Sequence, residues 1–163
     1  AVRLCSEGIN APLAIETSGH AALKENYFLD DGAYLVTRII IEAVKLRREN
    51  KNLLSLIEGL KSAREGKEVR LSFKTDNWKE LGNFIIESIK KLKDPRLVVA
   101  PDNYEGARVS VPALKGWFLV RMSVHDPIMP VNIESDIEGG ADRIAAILKE
   151  YLKAFDGLNV DNL

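Results

Sequence analysis

The sequence predicts an α+β chain in two parts. A short first part is built around a polar loop and one long helix. A larger second part packs helices on one face of a mainly antiparallel sheet. Three observations predict this. Leu35/Val36, Ile39/Ile40 and Ala43/Val44 recur at spacing four, which makes one apolar helical stripe. Short alternating runs with β-branched and aromatic residues, at 69–73, 107–111, 117–122 and 131–134, read as half-buried strands. Two further helical patterns fall among those strands, and a polar, glycine-containing stretch at 61–68 reads as the linker that separates residues 1–60 from residues 69–163.

In chain order, the strand-like run 11–15 leads into Glu16-Thr17-Ser18-Gly19-His20. That stretch sets a carboxylate, a hydroxyl and an imidazole around one glycine, the groups that hydrogen-bond vicinal hydroxyls. Glu16 and Ser18, two apart in extended chain, share a face. Asp30 and Asp31 are N-cap candidates for the striped helix; as neighbouring carboxylates they also suggest metal ligands, but the cap is the better account. Arg47 and Arg48 suit its C-terminal end. Asn52 caps a short helical segment with Leu53, Leu56, Ile57 and Leu60.

In the second part, Asn77 and Glu80 have capping-box spacing. The helix behind them is expected to turn Trp78, Leu81, Phe84/Ile85, Ile89 and Leu92 to the core, and Asp94-Pro95 stops it. Residues 97–99 read as a short strand. Gly139-Gly140 precede a last helix with Ile144, Leu148, Tyr151/Leu152 and Phe155, stopping near Gly157, and the tail from Asn159 is expected to be loose. Trp78 and Trp117 are expected in the core rather than as stacking platforms.

Composition narrows the function. A length of 163 residues suits one ordinary domain, or a small domain with part of another. A net charge of −1 argues against a general electrostatic grip on nucleic acid or on an anionic membrane. The single cysteine, Cys5, cannot pair within the chain, which points to a reducing, cytoplasmic setting. No run is long enough to span a bilayer. No His, Cys, Asp and Glu cluster has metal-site spacing, and no glycine-rich nucleotide loop is present.

A second site candidate lies at Arg121. Arg121 and Ser123 share one face of a strand end that runs into a loop closed by Pro127. A guanidinium matches phosphate with two parallel donors. The Ser123 hydroxyl adds a third, His125 offers a pH-responsive donor, and backbone N–H groups between Ser123 and Pro127 suit an anion nest.

The two stretches together carry a resemblance. Glu16-Thr17-Ser18-Gly19-His20, then Lys24-Glu25-Asn26-Tyr27-Phe28 and Asp30-Asp31-Gly32, is similar to the sugar-binding loop of the α-D-phosphohexomutases, the bacterial phosphomannomutase/phosphoglucomutase family. Gly116-Trp117-Phe118-Leu119-Val120-Arg121-Met122-Ser123, ending in Pro127, resembles the phosphate loop of that family's last domain. The resemblance implies that residues 1–60 are the end of an α/β third domain and residues 69–163 a complete fourth domain. It implies an isomerase that interconverts hexose 1-phosphate and hexose 6-phosphate through a bisphosphorylated sugar. Glu16 and Ser18 fall where the family holds sugar hydroxyls, and His20 falls beside them as a candidate for proton transfer or substrate contact. Arg121 and Ser123 fall where it grips the phosphate not being transferred.

Val124, His125 and Asp126 depart from the family's small or hydroxyl-bearing residues, so His125 is the weaker substrate-binding candidate. The family's phosphorylated serine and its magnesium-binding aspartate loop do not appear in these residues. The expectation is therefore a piece of a longer chain, with magnesium bound outside it, the N-terminal domains as its partners, and no turnover on its own. A stand-alone sugar-phosphate-binding or interaction module is the alternative.

Overall fold

The computed structural model describes residues 1–16 and 19–163, which form two compact units, Ala1–Leu60 and Lys61–Leu163. The first unit opens with a short helix α1 (Val2–Ser6) that the sequence pattern does not reveal. Strands β1 (Leu13–Ile15) and β2 (Ala21–Leu23) make an antiparallel hairpin. The sequence marks β1 only. Ala21-Ala22-Leu23 is too short and too poor in β-branched residues to signal a strand by itself. Tyr27 and Phe28, both at positive φ, then turn the chain toward α2 (Gly32–Arg48).

Asp31 is the N-cap of α2, its carboxylate accepting the Tyr34 N–H at 3.0 Å. Asp30 instead bridges Ala22. The stripe on α2 is helical as its spacing requires, yet Val36, Ile39, Ile40 and Val44 remain between 44% and 57% exposed. Leu46 is the one buried residue of α2. Asn52 caps a single 3-10 turn, Leu53–Leu56, through the Ser55 N–H.

The second unit is a five-stranded sheet of β3 (Glu65–Ser72), β4 (Val98–Val99), β5 (Ala107–Val111), β6 (Gly116–Val120) and β7 (Ile128–Ser135). Its order is β3-β7-β6-β5-β4, with every neighbouring pair antiparallel. Helices α3 (Trp78–Lys90) and α4 (Gly140–Leu152) cover one face. Between sheet and helices lie Leu71, Val109, Phe118, Val120, Met129, Ile133, Ile144 and Leu148, each at most 1% exposed. This is the α+β arrangement that the alternating strands and two amphipathic helices predict.

Four particulars differ from the sequence reading. Strand β3 starts at Glu65, inside the polar stretch that reads as linker, because pairing with β7 supplies its backbone with partners as far as Glu65↔Ser135. Helix α3 buries Gly82, Ile85, Ile86 and Ile89 and leaves Phe84 62% exposed. Asn77 and Glu80 do not form the reciprocal capping box: the Asn77 amide donates directly to the Glu80 carboxylate at 2.7 Å. The tail is packed rather than loose. Leu158 is buried, Val160 and Leu163 rest on the core, and the Asn159 N–H donates to the Ser72 carbonyl at 2.8 Å.

Candidate functional site

The first cluster forms at the β1–β2 turn. The ladder Leu13↔Leu23, Ala14↔Ala22, Ile15↔Ala21 runs out at Glu16. There the Glu16 N–H donates to the His20 carbonyl at 2.9 Å, and the Gly19 N–H donates back to the Glu16 carbonyl at 3.0 Å. Gly19, at φ +89°, makes this reversal without a Cβ clash. The backbone therefore brings Glu16 and His20 opposite each other at the mouth of a tight turn, both on the surface. Thr17 and Ser18 lie outside the described residues.

The second cluster forms where β6 leaves the sheet. Phe118 and Val120 point into the core, so Trp117, Leu119, Arg121 and Ser123 occupy the face without helices. Pairing with the strand opposite continues past the end of β6. The Arg121 N–H donates to the Pro130 carbonyl at 3.1 Å and the Ser123 N–H to the Ile128 carbonyl at 3.2 Å. Between Arg121 and Ser123, Met122 turns inward against α3. A Cβ placed at Gly82 would stand 2.1 Å from the Met122 sulfur, so this strand end is seated directly on the helix backbone.

The loop closes through a side chain. The Ser123 Oγ accepts the Asp126 N–H at 3.2 Å, and the Ile128 N–H donates to the Asp126 carbonyl at 2.7 Å. These two bonds leave the N–H groups of Val124 and His125 without a protein acceptor among the described residues. The Arg121 guanidinium is exposed and makes no ion pair or hydrogen bond among them either. An exposed guanidinium, a hydroxyl and two unspent N–H groups within five residues make an anion-receptive loop. Side-chain chemistry undervalues Val124. It has no polar side chain, but its backbone N–H is one of the two left open.

His125 and Asp126 are both exposed. Asp126 contributes its N–H to the turn. Trp117, expected in the core, sits half-buried on the helix-free face with the Arg108 guanidinium 4.7 Å from its ring centroid, a cation–π contact. Arg108 is thus occupied on that face, while Arg121 has no such partner among the described residues. Among the described residues no group of three or more His, Cys, Asp and Glu side chains converges as a metal site. No helix among them is long and apolar enough to cross a membrane.

No family model matches the chain. Curated relatives do. A phosphomannomutase/phosphoglucomutase of Pseudomonas aeruginosa is 31% identical over 149 residues, covering 90% of this chain. One of Pseudomonas syringae pv. tomato is 32% identical over 147 residues, covering 88%. The chain spans about 30% of the length of the relatives it matches. A solved phosphoglucomutase/phosphomannomutase family protein of Burkholderia thailandensis superposes with a TM-score of 0.65 at 26% identity, covering 97% of this chain and 31% of that one. With nine-tenths of its residues aligned and its α+β architecture shared, the chain is similar to the C-terminal region of phosphomannomutase/phosphoglucomutase family proteins.

Proposed function

We propose that this chain supplies the sugar-hydroxyl and phosphate contacts of a phosphohexomutase, an isomerase that interconverts hexose 1-phosphate and hexose 6-phosphate through a bisphosphorylated intermediate. The observation that carries the reading is the Arg121–Ile128 loop. Among the described residues its one guanidinium is unpaired, and its turn spends the Asp126 N–H on Ser123 while leaving those of Val124 and His125 open. Arg121 would hold the phosphate that is not being transferred with two parallel bonds. The Ser123 oxygen accepts from Asp126, which leaves its own proton to donate to the same phosphate. His125 flanks the loop and offers its imidazole as a further contact. Glu16, Ser18 and His20 would meet the sugar, the carboxylate accepting from hydroxyls and the imidazole positioned for contact or proton transfer.

In this reading the chain acts with the remaining domains of a longer cytoplasmic enzyme. Magnesium there neutralises charge at the phosphoryl group being moved, and it is held by residues outside this chain. Residues 1–163 do not turn over by themselves. Their part is to bind and orient the substrate at a non-reacting phosphate and at the ring hydroxyls.

Titration of the chain with inorganic phosphate and with a hexose 1-phosphate, followed by amide NMR, tests the phosphate half. Shifts concentrated at residues 121–127, with millimolar affinity (about 4 kcal/mol) that weakens with added salt, are expected. Loss of those shifts in Arg121→Ala, and only partial recovery in Arg121→Lys, follow from the two-pronged geometry. Unchanged shifts in Arg121→Ala would rule the loop out. In the complete enzyme, Glu16→Ala should lower kcat/KM by about 10- to 100-fold without unfolding, the loss of a charged acceptor worth about 1.5–3 kcal/mol.

A further inference from the structure

The Arg121 backbone is held on two sides. On one side its N–H bonds Pro130. On the other, the β5–β6 ladder ends at Ala107↔Val120, so the next residue outward on β5, Gly106, comes to lie beside Arg121. The approach is closer than any side chain permits. A Cβ at Gly106 would stand 2.3 Å from the Val120 carbonyl oxygen, 3.1 Å from the Arg121 Cβ and 3.2 Å from its Cα. Gly106 also sits at φ +145°, a conformation that residues with a Cβ rarely adopt. It is buried although it belongs to a connecting loop.

That loop, residues 100–106 between β4 and β5, is closed at its neck by three hydrogen bonds. The Ala100 N–H donates to the Arg108 carbonyl at 2.9 Å. The Asn103 side chain makes the other two, donating to the Ala100 carbonyl at 2.8 Å and accepting the Arg108 N–H at 2.7 Å. Asn103 thus fixes the loop from within, and the fixed loop delivers Gly106 against Arg121.

We propose that Gly106, set in place by the Asn103 staple, is a positioning residue for anion binding: it fixes the Arg121 backbone and Cβ from which the guanidinium reaches an anion held at the Ser123–Asp126 turn. Neither residue touches the ligand. The proposal rests on the phosphate-binding reading of Arg121 and adds to it a second loop, on a different strand, that determines how well the grip is formed. A methyl group at position 106 has to displace the Val120 carbonyl or the Arg121 Cα, and two donors shared by one phosphate do not survive a displacement of that order.

The test uses the whole chain, inorganic phosphate as the probe, and two NMR readouts: the amide spectrum for the fold and the Arg121 Nε–Hε signal for the guanidinium. Gly106→Ala is expected to keep the amide signals of β7 and α4, to move the Arg121 Nε–Hε signal in the free protein, and to weaken phosphate binding about tenfold or more. Asn103→Ala is expected to act in the same direction and less strongly. A folded Gly106→Ala that binds phosphate as the wild type does overturns the proposal. If Gly106→Ala fails to fold, Asn103→Ala decides, and wild-type affinity together with an unmoved Nε–Hε signal in that variant overturns it. Arg121→Ala separates the two layers. Unchanged binding there removes the phosphate reading itself, whereas lost binding there with intact binding in both loop variants removes only the positioning role.

Discussion

Asp94 shows how one carboxylate ties two elements of the second unit. It lies in the turn between α3 and β4 and is 13% exposed. The Arg96 guanidinium donates to it from Nε at 3.0 Å and from Nη2 at 2.8 Å, the Tyr151 hydroxyl of α4 donates as well, and the Arg96 N–H adds a bond at 2.7 Å. The Arg96 guanidinium first, then Tyr151, hold the Asp94 carboxyl well below the usual carboxylate range. A carboxyl lowered by folding contributes stability that is fully present above its unfolded value of about 4 and is lost as pH falls through the lowered folded value. Asp94→Asn should therefore lower the urea midpoint at pH 7, and its gap from wild type should narrow as pH is taken from 4 toward 2. A gap that stays constant across that range would assign the loss to shape rather than charge. Glu65 follows the same sign at the start of α4. The N–H groups of Ala141 and Gly139 donate to it at 3.0 and 2.6 Å and hold its carboxyl low. Glu65→Gln should thus speed exchange of those two amides at neutral pH and do so less below pH 4.

Helix α3 separates what hydrophobic spacing reveals from what it conceals. Spacing places Phe84 in the core, yet the helix is rotated so that Gly82 and Ile86 face inward and Phe84, largely exposed, makes a T-shaped pair with Phe155, 6.1 Å between centroids. The reason is Gly82: with no side chain it is invisible to a hydropathy pattern, yet it lets the helix settle on Met122 and turns the buried face toward itself. Ile86→Ala should cost about 2–5 kcal/mol. Phe84→Ala should cost about 1 kcal/mol, the worth of one exposed aromatic pair. Paired chemical denaturation checks the ranking, which is the reverse of what side-chain size alone suggests. The site divides similarly. Arg121 and Ser123 on one face, and the glycine-bent turn at Glu16, are local features that two-residue periodicity and one glycine make legible. The unspent N–H groups of Val124 and His125 depend on where the Ser123 hydroxyl turns, and the approach of Gly106 to Arg121 depends on strand register. Neither is written in local composition.

The two units bury apolar surface very unequally. In Ala1–Leu60 the buried hydrophobic residues are Ala21 and Leu46, while α2 presents five residues from Val36 to Val44 at 44% exposure or more. In Lys61–Leu163 a continuous core runs from Val69 to Leu158. Opening free energy follows buried apolar contact, so amides of β5, β6 and β7 should exchange slowest and those of α2 markedly faster. The second unit should also fold when expressed as 61–163, but its edge is set by the tail rather than by the last helix. Leu158 is 4% exposed and bridges Phe73, and Lys149 Nζ donates to the carbonyls of Asp161 and Leu163 at 3.2 and 2.9 Å. The tail therefore closes the β3 edge and the end of α4 together. Ending the chain at Gly157 removes a buried leucine and the Asn159–Ser72 bond at one stroke, a loss of about 2 kcal/mol or more. Urea titration of 61–163 against 61–157 measures it. Equal midpoints for the two would mean that the tail merely lies on the unit without holding it, and that the core is complete at α4.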